Sequence, residues 1–394
     1  MSLADDAKLL LIPTGYKTSK VYSVFPTDGD GDFTYTRSGD ATRVNPGGLI
    51  ETVGTNIPRI DHFGGGCPTL LLEPQRTNYA IRNTSLHLNS TLTNSGTITK
   101  TGNYAIAPDG TMTATRLQAS ATGSGYALLN VNGVNPSIDG DGGGYYISTI
   151  YVKSNTGQEQ ICAFYGASSG SPKTRTITNE WTRIQFKGYR PSSSKYSYIG
   201  VALSNGSDDQ LDFLVWGGQT ELVDSYASSL IITPSTSIVT RFKDECENGG
   251  DADLFDFNEC SIYLDLTPFD AGFNRDISLS AATNNDRFTF FFRSNGTELL
   301  FGVWAGGPNQ LYRNETITFS TRNKLLLTAK ENEFKIYING ILKFTDTFGV
   351  LPTGINRFSF ATPYNSNHFE GKVYDTRVYD RVLTEAEAIE LTTL

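Results

Sequence analysis

The stretch Leu211–Arg241, LDFLVWGGQTELVDSYASSLIITPSTSIVTR, decides how the chain is divided. It begins as a strand and carries the run Trp216-Gly217-Gly218-Gln219-Thr220-Glu221. A Tyr-Ala-Ser-Ser loop and a Pro-Ser-Thr segment follow, and the stretch ends on Thr240-Arg241. The chain before it reads as one β-rich unit and the chain after it as another. The stretch is therefore the last strand of a middle domain and the handover to a C-terminal one.

At roughly 150 residues per domain, 394 residues make two or three domains, each large enough to bury a core. Tyr (20) and Phe (23) are plentiful, Gly reaches 39 and Met falls to 2, while only 19% of residues are charged. Aromatic and β-branched residues suit a half-buried sheet, and Gly and Asn accept turn geometry, so the composition predicts an all-β protein with many turns. A net charge of −9 disfavours nucleic-acid binding, which needs a basic field to neutralise phosphates. Cys67, Cys162, Cys246 and Cys260 are scattered without a CxxC pair, which gives zinc and redox motifs no support. Free buried thiols are the expected state, with a Cys246–Cys260 pairing left open. The N-terminus MSLADDAKLLLIPTGYK lacks the basic and long apolar regions of a secretory signal. No stretch approaches the ~18 apolar residues of a membrane span.

Residues 1–80 hold short apolar pieces punctuated by Pro13, Pro26, Pro46, Pro58 and Pro74. They offer too little continuous core to stand alone. Asp28-Gly29-Asp30-Gly31-Asp32 begins like a calcium loop, but the sixth and twelfth positions are Phe33 and Gly39 where an EF-hand needs Gly and Glu. A turn rich in Asp and Gly is the preferred reading. No cofactor is expected, and a looser structural Ca2+ site stays open. The blocks FTYTRSGDATRVNPGGLIE, NIPRID and CPTLLLEPQRTNY resemble, in order and spacing, a segment of bacteriophage virion proteins, mainly fibre and receptor-binding subunits. The opening KLLLIPTGYKTSKVYSVFP is similar to the N-terminus of such proteins in phages of Bacteroidetes hosts, including crAss-like phages. The resemblance implies a virion-attachment segment that gains order against copies of itself or a particle partner.

Residues 81–241 place turn clusters about every ten residues between short alternating runs such as YYISTIYV (Tyr145–Val152). That spacing predicts a sandwich or jelly roll rather than a βαβ fold. The pattern APDGTMTATRL, STIYVKS, NEWTRIQF and VWGGQTELVDSYASSLIITPSTSIVTR resembles the carbohydrate-binding-module-like jelly roll of phage fibres. That family usually shows Trp-Gly-Ala-Gln-x-Glu, and Gly218 stands where Ala is usual. Trp216 reads as core, and Trp181 as structural.

Residues 242–394 begin with the linker-like KDECENGG and continue through alternating strands such as Ser261–Pro268 and Arg287–Arg293. Asn339-Gly340 between two alternating runs predicts a two-residue hairpin, because both central residues must take positive φ. Thr384 with Glu387 three residues on predicts a capping box, and Leu383 is placed for a staple contact. The run FKIYINGILKF to FEGKVYDTRVYDRVLTEAEAIEL resembles the laminin-G/concanavalin-like lectin fold. The expected fold is thus all-β: two tandem antiparallel β-sandwiches after an irregular attachment segment, with one short C-terminal helix.

Concanavalin-like hydrolases set two carboxylates on one strand, because glycoside hydrolysis places an acid on each side of the bond. Asp265 has only Glu259 and Asp270 near it in sequence, both at strand ends, and no enzyme is expected. His62, His87 and His368 are far apart and make no metal motif. Sugar recognition uses aromatic faces with amides nearby. Trp304, Asn309 and Tyr312 in one stretch, with Tyr364, Asn365 and His368 in another, are the candidate carbohydrate-binding residues. The function these resemblances imply is a phage head or tail fibre or receptor-binding subunit on the virion surface. Residues 1–80 would meet other virion proteins, the sandwiches would bind host surface glycan by weak multivalent contacts, and the protein would be a homo-oligomer, with a trimer favoured. Neither nucleic acid nor membrane is an expected partner. A capsule depolymerase and a purely structural spacer are the alternatives.

Overall fold

A computed structural model describes residues 2–133, 144–166, 173–190, 197–223, 225–270 and 272–394. Tyr196, at the expected start of a strand, lies outside them. The chain is almost entirely β, with a single α-helix, Glu385–Thr392, among the described residues.

The chain forms two compact units rather than three segments in series. One comprises Met1–Gly48, Val53–Pro74 and Phe242–Leu394; the other comprises Leu49–Thr52 and Gln75–Arg241. The proline-punctuated N-terminal residues therefore belong with the C-terminal third. Several of their strands complete sheets built mainly from that third. Leu9–Leu11 and Thr69–Leu72 both pair antiparallel with Gly371–Tyr379, and Phe33–Thr36 pairs with Glu245–Glu247. Leu9, Leu11, Phe33, Leu70 and Leu72 are buried in the same core cluster as Ile262, Leu264 and Val373.

This first unit is a sandwich. One sheet runs Ile341–Asp346, Glu333–Ile338, Asn323–Lys330, Glu259–Pro268, Gly371–Tyr379, Thr69–Leu72, Ile60–Asp61. The other runs Asn309–Thr316, Glu298–Trp304, Arg287–Phe292, Arg275–Ser280, Arg357–Ser359. Period-two alternation sends Phe288, Phe290 and Phe292 inward with Leu299, Phe301 and Val303, against Ile262, Leu264, Leu325 and Leu327. The Asn339-Gly340 turn has the expected geometry, with φ of 50° and 81° and Ile338 facing Ile341. The helix has the expected capping box, and Leu383 lies in one cluster with Ala388 and Leu391.

A buried ionic cluster ties the N-terminal residues in. Asp244 and the charged residues of three sequence blocks, Arg37 of FTYTR, Arg59 of NIPRID and Glu73 of LLLEP, converge there. Arg59 Nη1 meets Glu73 Oε2 at 2.6 Å, Arg59 Nη2 pairs with Asp244 Oδ2, and Arg37 Nη1 lies 3.3 Å from Asp244 Oδ1. Tyr35 Oη donates to Asp244 Oδ1 at 2.5 Å. The Asp244 N–H also donates to Glu73 O at 2.9 Å, and the Glu73 N–H donates to Asp244 Oδ2 at 2.9 Å. Burial opposes the Arg59 charge, but Asp244 and Glu73 outweigh it and raise its pKa above the ordinary value.

In the second unit the long strand Ala114–Asn130 serves three neighbours, one of them Thr91–Ala105 along most of its length. Residues Thr115–Ser120 pair with Gln210–Val215, and Tyr126–Asn130 pair with Tyr198–Ala202. One apolar cluster including Leu117, Leu129, Ile150, Phe164, Phe213 and Val215 fills the interior. Trp216 is fully buried, as expected, and its Nε1 donates to Thr113 Oγ1 at 3.0 Å. A Cβ at Gly218 would meet Val131 Cγ1 at 2.9 Å, so alanine at this position would need Val131 to move. Gln219 and Glu221 hold the return path: Gln219 Oε1 accepts from Ile231 N at 2.6 Å and Glu221 Oε2 from Ser228 N at 2.9 Å.

Candidate functional site

The strand alternation that sends phenylalanines into the first unit's core sends a different set outward from its five-stranded sheet. Arg287 and Thr289 leave the Arg287–Phe292 strand on this side. Gly302 and Trp304 leave the Glu298–Trp304 strand, and Tyr312 and Asn314 leave the Asn309–Thr316 strand. Cross-strand pairing aligns Trp304, Arg287, Ser280 and Arg357 in one row.

Trp304 lies flat because its inner neighbour is glycine: a Cβ at Gly302 would sit 2.2 Å from the indole. The Arg287 guanidinium stacks on that indole, 3.8 Å from the ring centroid. Tyr312 meets Trp304 edge-on at 6.2 Å between centroids, is 52% exposed, and its hydroxyl accepts from Arg293 Nη2 at 2.9 Å. Asn309 faces Trp304 across the strand pair and is exposed.

The 361–368 loop runs along the Arg275–Ser280 strand. Ser278 Oγ donates to Ala361 O at 2.7 Å, and the Asp276 N–H donates to Asn367 O at 2.8 Å. Tyr364 on this loop is 63% exposed and close enough to Arg287 to interact electrostatically. Asn365 serves the turn, with φ of 55°. His368 is directed elsewhere: its Nε2 lies 3.1 Å from Lys243 Nζ and its Nδ1 3.3 Å from Glu247 Oε1. Burial, and then Lys243, lowers the His368 pKa, while Glu245 opposes them. Glu247 is pushed up to about 7 by burial and by Glu245.

Trp304, Tyr312, Tyr364 and Asn309 thus share one face, while Asn365 and His368 serve the loop and its ionic anchor. Arg287 and Asp276 were not among the expected residues. Asp276 is buried beside Arg287, accepts a hydrogen bond from the Thr289 hydroxyl, and is pushed up to about 8 by burial, so it is largely neutral at pH 7. The alternation within RFTFFFR marks Arg287 as outward-facing, but only the strand pairing sets it against Trp304.

A carboxylate pair missed in the sequence lies on the eight-stranded sheet. Asp265 faces Asp375 across two strands. Each is engaged by an arginine: Arg322 binds Asp265 with two contacts of 2.7 and 2.6 Å, and Arg377 Nη2 meets Asp375 at 2.6 Å. The Asp28–Asp32 turn closes on itself, with the Asp32 N–H donating to Gly29 O at 3.0 Å. Among the described residues no group of three or more His, Cys, Asp or Glu has the arrangement of a metal site. All four cysteines are free, and Cys162, Cys246 and Cys260 are buried.

Residues 252–388 match the concanavalin A-like lectin/glucanases superfamily. The match spans most of the first unit's C-terminal part and includes the whole aromatic face. No curated protein sequence is significantly similar to the chain. Among solved structures, the CBM40 of the Ruminococcus gnavus IT-sialidase is 16% identical at a TM-score of 0.31, covering 35% of this chain and 84% of that one. Domain 4 of AbnA, a GH43 arabinanase from Geobacillus stearothermophilus solved with arabinotriose, is 17% identical at 0.31, covering 38% and 73%. The leech intramolecular trans-sialidase is 16% identical at 0.31, covering 38% of this chain and 26% of that chain. Identities and scores this low carry no argument about ligand or activity.

Proposed function

We propose that this protein is a non-catalytic glycan-binding subunit of a phage virion, a head or tail fibre or receptor-binding protein. The observation that carries the glycan reading is the outward aromatic face of the lectin-like unit. Tyr312 and Tyr364 are more than half exposed, and Trp304 supports them from beneath the Arg287 guanidinium. Pyranose rings stack on such surfaces, and Asn309 stands at the rim to meet hydroxyls. The virion reading rests on the fibre-like sequence blocks of residues 1–80. In that reading residues 1–80 also meet other particle proteins, and the homo-oligomer, a trimer by preference, multiplies weak sites into useful avidity.

The test is binding of the full chain to an array of host capsule and cell-wall polysaccharides, alongside the Trp304→Ala/Tyr312→Ala double variant. The expected result is binding that the double variant loses by at least roughly tenfold. Binding unchanged in the variant would remove this face from the account. Sustained release of reducing ends from a bound polysaccharide would replace the non-catalytic reading with a depolymerase.

A further inference from the structure

We propose that the aromatic face selects glycans that carry a carboxylate, which is received between Arg287 and Arg357. The inference rests on the glycan reading above and names its ligand class.

The starting point is charge that is not balanced. Arg287 is partly buried, its guanidinium covered on one side by the Trp304 indole at 3.8 Å. Nη1 donates to the Asn284 carbonyl, and among the described residues Nε and Nη2 have no hydrogen-bond acceptor and the group no carboxylate at ion-pair distance. Burial accordingly lowers its pKa below the usual arginine value, and Asp276 and Tyr364 only partly oppose that. Asp276 is the acid that acts on it, and at neutral pH Asp276 is mostly protonated. A half-buried guanidinium is ordinarily paired, because removing its hydration costs free energy that a partner must return.

The second observation is independent. Ser280 lies between Arg287 and Arg357 in the cross-strand row, and its side chain is fully buried, with no partner for its Oγ. Buried hydroxyls are almost always hydrogen-bonded, so an orphan here marks a place where an acceptor belongs. Among the described residues the Arg357 side chain touches only the Asn356 and Asn248 side-chain oxygens, at 3.2 and 3.4 Å, and feels Glu247 at longer range. The two arginines are two strands apart, roughly 10 Å between backbones. Their planar forks suit a carboxylate in the space between them. Tyr312, edge-on to Trp304 and half exposed, would meet the sugar ring that bears it. The protein's net charge of −9 makes this local excess of cations the more specific, since the rest of the surface repels anions.

The experiment measures binding of the full chain to a panel of uronic- and ulosonic-acid oligosaccharides, each beside its methyl-esterified twin. Wild type, Arg287→Gln and Arg287→Lys are compared, with circular dichroism confirming the fold of each. The expected result is at least roughly tenfold tighter binding of an acid than of its ester, the value of a charge-assisted hydrogen bond. Arg287→Gln should erase the difference and Arg287→Lys should restore part of it. Equal binding of acid and ester would overturn the inference and leave the glycan reading standing. Preference for sulfated over carboxylated oligosaccharides would overturn the carboxylate assignment. Binding to no glycan, acidic or neutral, would end both.

Discussion

Two groups of arginines in the lectin-like unit lie in opposite electrostatic circumstances. Arg37 and Arg59 have no exposed side-chain surface and share Asp244, with Glu73 completing the balance. Arg287 is only partly covered and, among the described residues, has no carboxylate partner. The first arrangement is closed: every charge is answered inside the fold, and the cluster fixes chain segments far apart in sequence. The second is open on one side, with an aromatic ring beneath it and an orphan hydroxyl beside it. The difference separates a structural charge from one that awaits a ligand.

Breaking the closed cluster should have the largest effect. Asp244→Ala strands two buried guanidinium groups and is expected to cost about 3–5 kcal/mol in urea denaturation. A loss below 1 kcal/mol would mean the cluster is not what holds the N-terminal residues in place. The same pairing is probed through its apolar side by Leu11→Ala, expected to cost about 2–5 kcal/mol because Leu11 is fully buried in the shared core. If residues 1–74 only decorate the unit, this substitution would leave the denaturation midpoint unchanged.

Asp276 sharpens the open side. Its folded pKa of about 8 stands above the ordinary 3.8. Its contribution to stability is therefore full below pH 3.8, declines as pH rises, and is lost once pH passes about 8. Asp276→Asn keeps an acceptor for Thr289 and should remove that decline from a series of denaturation curves. Ionised Asp276 would also compensate Arg287, so binding of carboxylated glycan should weaken above pH 8 in wild type and not in Asp276→Asn. The smallest effect belongs to a charge pair near solvent. Arg381 and Thr384 hold Glu387 at about 2, and Thr384→Ala is expected to cost about 1 kcal/mol, a helix cap's usual worth.

The fold was legible where local rules act. Asn339-Gly340, the Thr384 capping box and the buried Trp216 each follow from a few adjacent residues. The place of the N-terminal residues was not, because Leu9–Leu11 and Thr69–Leu72 find their partner strand about 365 and 300 residues away, and short apolar runs do not name their partners. The same limit applies to the site. Trp304, Tyr312 and Tyr364 stood out as aromatics, whereas Arg287 opens a strand of phenylalanines, and nothing in its neighbours names Trp304 as its partner. His368 looked like a rim residue because nothing local ties it to Lys243 and Glu247.

The central claim is that Arg287 is kept for a ligand and Arg59 for the fold. The most direct measurement takes Arg287→Gln and Arg59→Gln side by side in urea denaturation and in binding to a carboxylated oligosaccharide. The account predicts that Arg287→Gln stays within about 1 kcal/mol of wild type while binding falls at least roughly tenfold, and that Arg59→Gln loses about 3 kcal/mol or more. An Arg287→Gln protein as destabilised as Arg59→Gln, with unchanged binding per folded molecule, would contradict it.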